Sequence, residues 1–113
     1  MVNSRNSNFR IMRLIILYDL PSTTKKDMKD ASLFRKLLMN RGFIMMQESV
    51  YVKQCINHDS LNRILIYVER ILPPNGDIRA ISITEKQYID MRLLKGEKSM
   101  TEKITEKGNL ILI

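Results

Sequence analysis

Residues 12–21, Met-Arg-Leu-Ile-Ile-Leu-Tyr-Asp-Leu-Pro, form a run rich in Leu and Ile that ends in a lone acid followed by a proline. The run is short for a helix and Pro21 closes it, so the pattern predicts a buried central strand. Asp19 then stands at the strand's C-terminal end, at the rim of a sheet, where ligands tend to bind in α/β architectures. A carboxylate in that place is either a turn or cap residue satisfied by backbone donors or a group placed for chemistry. This stretch alone leaves both readings open.

Beyond Pro21 the period changes. Thr24 is a fair N-cap, and Asp27 three residues on suits the positive helix end. Met28, Ala31, Phe34, Leu37 and Leu38 line one face at helical spacing, and Gly42 stops the helix. Lysines and arginines from Lys25 to Arg41 occupy the other faces. Residues 43–53 are rich in Val, Ile, Tyr and Met around a polar Gln47-Glu48-Ser49, which predicts two strands, 43–47 and 49–55, joined by a tight turn. One long bent strand is the alternative. Asn57-His58-Asp59-Ser60 caps a second helix, whose Leu61, Ile64, Leu65, Val68, Ile71 and Leu72 keep the helical period without a gap. Pro73-Pro74-Asn75-Gly76 ends it.

A fourth strand follows at 77–84, and Thr84 to Gln87 has the spacing of a capping box that starts a short helical turn. Residues 91–95 return to extended structure, and 97–108 read as a polar, mobile loop. The triplet Thr-Glu-Lys recurs at 84, 101 and 105 but is too short and irregular to be an architectural repeat. The sequence closes on Asn109-Leu-Ile-Leu-Ile113, of which the last four are apolar. Four apolar residues at an uncovered edge invite aggregation, so they need a sheet to join. The leading expectation is a symmetric homodimer by strand exchange, the alternative a strand paired within its own subunit. The division is an N-terminal arm at 1–11, a domain at 12–96, and a loop and terminal strand at 97–113. The order β-α-β-β-α-β with C-terminal additions is the α+β, ferredoxin-like arrangement, an antiparallel sheet with two helices on one face. That fold hosts many unrelated activities.

The chain of 113 residues is long enough for one domain and one modest core. No apolar run approaches the roughly 20 residues of a membrane span. The first eight residues have no apolar core of a secretory signal and read as a flexible polar arm. One cysteine, Cys55, allows no internal disulfide and fits a cytoplasmic location. Cys55 and His58 are too few for a zinc site and read as packing or surface residues. The charge narrows the partners. Nineteen Lys and Arg against twelve Asp and Glu give +7, which suggests a polyanion partner, of which nucleic acid is the usual one, against the plainer reading of a merely soluble basic surface. With no Trp and 6% aromatics, contacts to phosphates are expected rather than base stacking.

The residues also carry a resemblance. The segment at 12–21, Phe-Arg-Lys-Leu-Leu at 34–38, Gly-Phe-Ile-Met-Met-Gln-Glu-Ser-Val-Tyr at 42–51 and Ser-Ile-Thr-Glu-Lys-Gln-Tyr-Ile-Asp-Met at 82–91 resemble the small CRISPR-associated adaptation proteins, the Cas2 family. The last segment is similar to the variant found beside the Cas9 effector in type II-A systems. The match runs from about residue 12 to residue 96 in order and spacing, and no single motif carries it. The resemblance implies a ferredoxin-like homodimer that bridges two dimers of the Cas1 integrase. Together they hold a short double-stranded DNA and insert it into the CRISPR array. Integration chemistry then belongs to Cas1. Some relatives also cut RNA or double-stranded DNA with a divalent metal, through the strand-end Asp of each subunit facing its mate across the two-fold axis. Asp19 is the matching position.

The chemistry can be weighed apart from the family. Mg²⁺ (or Mn²⁺) takes one or two carboxylates with waters and phosphate oxygens, so one Asp per chain suffices if symmetry brings two together. That pair would polarise a phosphate and activate water. Asp27 and Asp30 sit among helix lysines, Glu48 lies in a turn, and His58 sits in a capping segment. No Ser-His-Asp set, P-loop or Gly-rich cradle is present. Lys25 and Lys26 open the first helix just beyond Asp19, where ammonium groups and helix amides can meet a phosphate together, although lysines on a helix are commonly only a solvated face. Lys53 and Arg79 are the other candidates for DNA-backbone contacts. Two further readings stand beside the DNA-bridging adaptation subunit. One is a metal-dependent endonuclease working through paired Asp19 carboxylates. The other is a basic ferredoxin-like module that binds RNA or a regulatory partner.

Overall fold

In a computed structural model, residues 10–97 are described. They form strand β1 (Met12–Asp19), helix α1 (Lys25–Asn40), strands β2 (Ile44–Gln47) and β3 (Val50–Cys55), helix α2 (His58–Arg70), strand β4 (Asp77–Thr84) and the short helix α3 (Glu85–Ile89). The four strands make one antiparallel sheet in the order β2-β3-β1-β4. This is the expected ferredoxin-like arrangement, with β1 in the middle. The predicted arm at 1–11, loop at 97–108 and terminal strand fall largely or wholly outside the described residues.

Period-2 alternation divides β1 between the two faces of the sheet. Leu14 and Ile16 point to the helices, where they are buried with Phe34 and Leu38 of α1, Tyr51 and Cys55 of β3, and Leu61, Ile64 and Val68 of α2. Phe34, Leu38, Leu61, Ile64 and Val68 are among the apolar positions the helical spacing picked out; Met28 and Leu72, also picked out, lie at the margins of the core and are 51% and 48% exposed. Ile15 points the other way and is buried with Val52 and Tyr88. A strand buried on both sides in its first half has to read as a nearly continuous apolar run, which is how residues 12–17 read apart from Arg13.

The element ends follow from local chemistry. Thr24 Oγ1 accepts the Asp27 N–H at 3.0 Å, and the Asp27 carboxylate accepts the Thr24 N–H at 3.2 Å, so Asp27 closes a capping box rather than only facing the helix dipole. Ser60 N–H donates to Asn57 Oδ1 at 2.8 Å, and Gln87 N–H to Thr84 Oγ1 at 3.1 Å. Asn57→Ala is expected to cost about 1 kcal/mol, read in a chemical or thermal melt. At its other end α1 closes with Gly42 at φ 90°. There the Gly42 N–H bonds the Met39 carbonyl and the Phe43 N–H bonds the Leu38 carbonyl, the hydrogen-bond pair that a left-handed residue after a helix makes possible. Arg41 stacks on the Tyr67 ring at 3.9 Å, and the Tyr67 hydroxyl donates to the Leu37 carbonyl at 3.0 Å. Those two contacts tie α1 to α2.

Residues 43–55 are two strands, not one bent strand. Glu48 and Ser49 make the turn, with Ser49 at φ 64°, and the β2–β3 register shifts between Met45 and Gln47. The extended stretch expected at 91–95 is not a strand. After α3 the chain runs without sheet pairing and bends at Lys95 and Gly96, although the outer edge of β4 carries no strand among the described residues. No helix among the described residues is long and apolar enough to cross a membrane. Cys55 is buried in the main core, and burial pushes its thiol pKa up, which makes it a packing residue.

Candidate functional site at the end of the central strand

The face of the sheet away from α1 and α2 carries the candidate chemistry. From β1 it presents Arg13, Ile15, Leu17 and Asp19; from β4, opposite them, Ile83, Ile81, Arg79 and Asp77. Its centre is apolar. Ile15, Val52 and Tyr88 are buried there, with Ile44, Met46, Val50 and Ile83 packed around them. Toward the Asp19 end the cover stops, leaving Leu17 38% and Ile81 52% exposed.

The other end of this face is closed by α3. Arg13, 2% exposed, makes a two-pronged ion pair with Glu85: Nε to Oε1 and Nη2 to Oε2, both 2.8 Å. Its guanidinium lies 4.2 Å from the centre of the Tyr88 ring, and Gln54 Nε2 donates to Glu85 at 3.3 Å. Planar Arg matched to a carboxylate at two points and stacked on an aromatic ring is a geometry lysine cannot reproduce. Sequence reasoning missed Arg13: an arginine inside an otherwise apolar strand signals a buried cation in need of a partner, but nothing near it in the chain names that partner as Glu85.

Asp19 is exposed, and its Cα partner across the β1–β4 ladder is Asp77. Directly opposed side chains on one face have Cβ atoms about 5 Å apart. Sequence reasoning missed Asp77. Pairing 77–84 antiparallel to 12–19, end to end, places residue 77 against residue 19, so the strand assignment already contained the signal. Arg79 sits opposite Leu17 on the same face and diagonal to Asp19. A strand end with two acids and one arginine is held together at one corner.

The other predicted basic residues lie elsewhere. Lys25 and Lys26 are exposed in the first turn of α1, beyond the 20–24 connection. Lys26 Nζ pairs with Asp30 at 2.9 Å, an exposed pair of small energetic weight. Asp27, also in that turn, adds negative charge where a phosphate would approach. Lys53 is on the helix-covered face, opposite Leu14, with its Nζ 2.8 Å from the position a Cβ on Gly42 would take. That sets its ammonium beside the C-terminal end of α1, the negative end of the helix dipole. Asp19 and Arg79 are therefore brought together, and Lys53 faces away from both.

Among the described residues no group of three or more His, Cys, Asp or Glu could hold a metal ion. Two hard carboxylates at an exposed corner instead fit a Mg²⁺ that keeps most of its waters and takes phosphate oxygens, and they do not fit a closed protein cage.

Behind the corner, on the helix side, Tyr18 packs edge-on to Phe34 with ring centres 5.2 Å apart and lies nearly parallel to Tyr51 at 6.1 Å. Burial, followed by the neighbouring Tyr51, pushes the Tyr18 phenol pKa up to about 12. The Tyr18 N–H donates to the Ser49 carbonyl at 3.0 Å, fixing the β2–β3 turn against the end of β1.

Comparison with known proteins places this geometry. The family described as CRISPR associated protein Cas2 matches residues 12–91. A CRISPR-associated endoribonuclease Cas2 from Campylobacter jejuni is 41% identical over 91% of this chain and 72% of its own length. Proteins of the same description from Ligilactobacillus salivarius and Treponema denticola are 42% and 38% identical, over 89% and 90% of this chain and the whole of each relative. A solved structure described as a crystal structure of cas2 superposes with a TM-score of 0.55 at 18% identity, covering 80% of this chain and 92% of that one, which bears on the fold alone. The chain belongs to the CRISPR-associated Cas2 family.

Proposed function

We propose that this chain serves CRISPR adaptation as a homodimer that bridges Cas1 integrase dimers and holds double-stranded prespacer DNA by its backbone. The supporting observation is the half-covered sheet face, on which Leu17 and Ile81 remain exposed beside Asp19, Asp77 and Arg79. A second copy docked there would bury Leu17 and Ile81 and set the two acidic corners near one symmetry axis. A net charge of +7 suits a polyanion, with Lys25, Lys26 and Arg79 as candidate contacts; Lys53, set at the end of α1, is not among them. Such contacts give affinity and salt dependence without sequence choice. The integration reaction itself stays with Cas1 in this reading.

The test is integration of a DNA duplex in a reconstituted reaction with Cas1, comparing no added protein, wild type and Asp19→Ala. Wild type and Asp19→Ala are expected to stimulate integration equally. An Asp19→Ala protein that forms the same dimer and complex yet fails to support integration overturns this mechanism.

A second reading is favoured by the opposed Asp19 and Asp77 and by the endoribonuclease description that the relatives carry. In it Asp19, helped by Asp77, would hold a Mg²⁺ or Mn²⁺. The metal supplies polarisation of a phosphate and an activated water. The residues' own work is to present hard oxygens at an exposed strand end, with Arg79 beside them to attract and orient the phosphate backbone. RNA cleavage by a highly purified sample should then stop in EDTA and fall at least about a hundredfold in Asp19→Ala, the order expected when an electrostatic stabiliser of the transition state is removed. Cleavage that survives Asp19→Ala sinks this reading.

A further inference from the structure

Beside the acidic corner, on the helix side of the sheet, lies a cleft of about 450 Å³ between α1 and the β2–β3 turn. That volume is in the range of small-molecule sites. Its walls are of two kinds. Met28 and Met45 line it with half-exposed thioethers, and the Tyr18 and Tyr51 rings also face it. Asp19 lines the cleft as well, and beside that acid Arg35 and Glu48 bring one cation and one further anion to it. Neither makes an ion pair among the described residues, and both lie close enough to the Tyr18 phenol to act on its ionisation in opposite senses.

The turn that carries Glu48 is held in place. Ser49 adopts φ 64°, which a residue with a Cβ enters at a cost, and its carbonyl takes the Tyr18 N–H. Without that bond the turn would be free to relax. An unpaired cation on α1 and an unpaired anion on the β2–β3 turn, with tyrosine rings and flexible thioethers lining the same cleft, match a ligand that has an anionic end, a planar apolar body and an edge of hydrogen-bond donors. A nucleotide has all three.

We propose that this cleft binds one nucleotide unit, its phosphate on Arg35, its base between the two methionines and against Tyr18, and its donor edge on the Glu48 carboxylate. A carboxylate accepts two donors at once, and guanine offers two adjacent N–H groups where uracil offers one. The cleft therefore prefers guanine. Methionine suits the walls because its thioether adapts to a flat ring. This inference rests on the nucleic-acid reading above only for the chemical class of its ligand, and it needs neither Cas1 nor a metal.

The test is methionine-methyl NMR on the whole protein in EDTA, titrated with GMP, UMP and inorganic phosphate. GMP should shift the Met28 and Met45 methyl signals saturably, with UMP binding about tenfold more weakly, the loss of one hydrogen bond to a charged acceptor. Arg35→Gln should weaken GMP about tenfold or more, by the same loss of a charge-assisted bond. Glu48→Gln should remove the preference for GMP over UMP. The inference is overturned by the absence of a saturable GMP shift, by equal shifts from inorganic phosphate alone, or by unchanged binding in both variants. A guanine-containing dinucleotide separates the two sources of this chemistry. Tighter binding than GMP assigns the cleft to a nucleic-acid strand, and weaker binding to a free mononucleotide; either outcome supports the nucleotide site. If GMP does not bind while DNA integration with Cas1 proceeds, only the cleft assignment falls. If GMP binds as expected and integration fails, only the adaptation reading falls.

Discussion

Glu85→Ala is expected to destabilise the fold by about 3 kcal/mol, the lower part of the range for removing one partner of a buried ion pair. The lower part applies because Glu85 is 28% exposed while Arg13 is 2% exposed. The variant leaves the guanidinium under α3 with only the Tyr88 ring and no carboxylate. Desolvation of that cation, more than the lost attraction, supplies the cost. For a domain of this size, the melting temperature should fall by at least about 10 °C. Glu85→Gln keeps an acceptor for one of the two hydrogen bonds and should lose less. The double change Arg13→Met with Glu85→Leu removes both charges and should recover most of the stability, since apolar replacements for a buried pair are commonly neutral. A single Glu85→Ala variant melting within about 2 °C of wild type would mean that water screens the pair.

The consequence reaches the open sheet face. Tyr88 is buried against Ile15 and Val52 only because α3 lies across them. Releasing the Arg13–Glu85 clamp frees α3 and uncovers those residues as well. The clamp thereby sets how much apolar face is left for another molecule.

The fold was legible because its signals are local and agree with one another. The apolar run at 12–17, the helical stripe at Leu61, Ile64 and Val68, and the capping residues at Thr24, Asn57 and Thr84 each state an element and its start. Ser49 took a left-handed turn without being Gly or Asn, and the hairpin was still readable because polar residues interrupt two β-rich runs. Residues 91–95 misled for the opposite reason. Met91, Leu93 and Leu94 look like strand residues, but composition does not report whether a segment lies against a sheet edge, and here they stay unpaired while the outer edge of β4 is open among the described residues.

The site was half legible. Asp19 could be found because a strand-end acid interrupts an apolar run, and Arg79 falls on its face. Asp77 and Arg13 could not be found from their neighbours in sequence. Each acquires its role from a cross-strand or cross-element partner, Asp19 in one case and Glu85 in the other. Lys53 shows the converse. Its charge suggested a phosphate contact, and its place in the register turns it toward the end of α1. Residue type announces a chemistry, and period-2 parity decides which face of the sheet receives it.

Gly76→Ala is the substitution expected to act most directly on the corner where the two acids meet. Gly76 has φ 107° and leads the chain into β4 just before Asp77. A Cβ there would stand 2.8 Å from the Asp19 carbonyl oxygen, 3.2 Å from Leu20 Cα and 2.5 Å from Leu20 Cδ2. The leucine methyl can swing aside. The two backbone atoms belong to the end of β1 and cannot move without taking Asp19 with them. Gly96 provides the control, because it has a similar φ of 105° and nothing within 4 Å of its would-be Cβ. Gly96→Ala should cost only the conformational penalty, about 1 kcal/mol, while Gly76→Ala adds the backbone collision and should cost about 3 kcal/mol in a denaturant melt. The sequence Pro-Pro-Asn-Gly reads as a helix stop, and its last residue does more than stop a helix. It lets β4 start against the tip of β1, which is what sets Asp77 opposite Asp19. Equal losses in the two alanine variants would show that the turn relaxes freely and that this close approach does not hold the acidic corner in register.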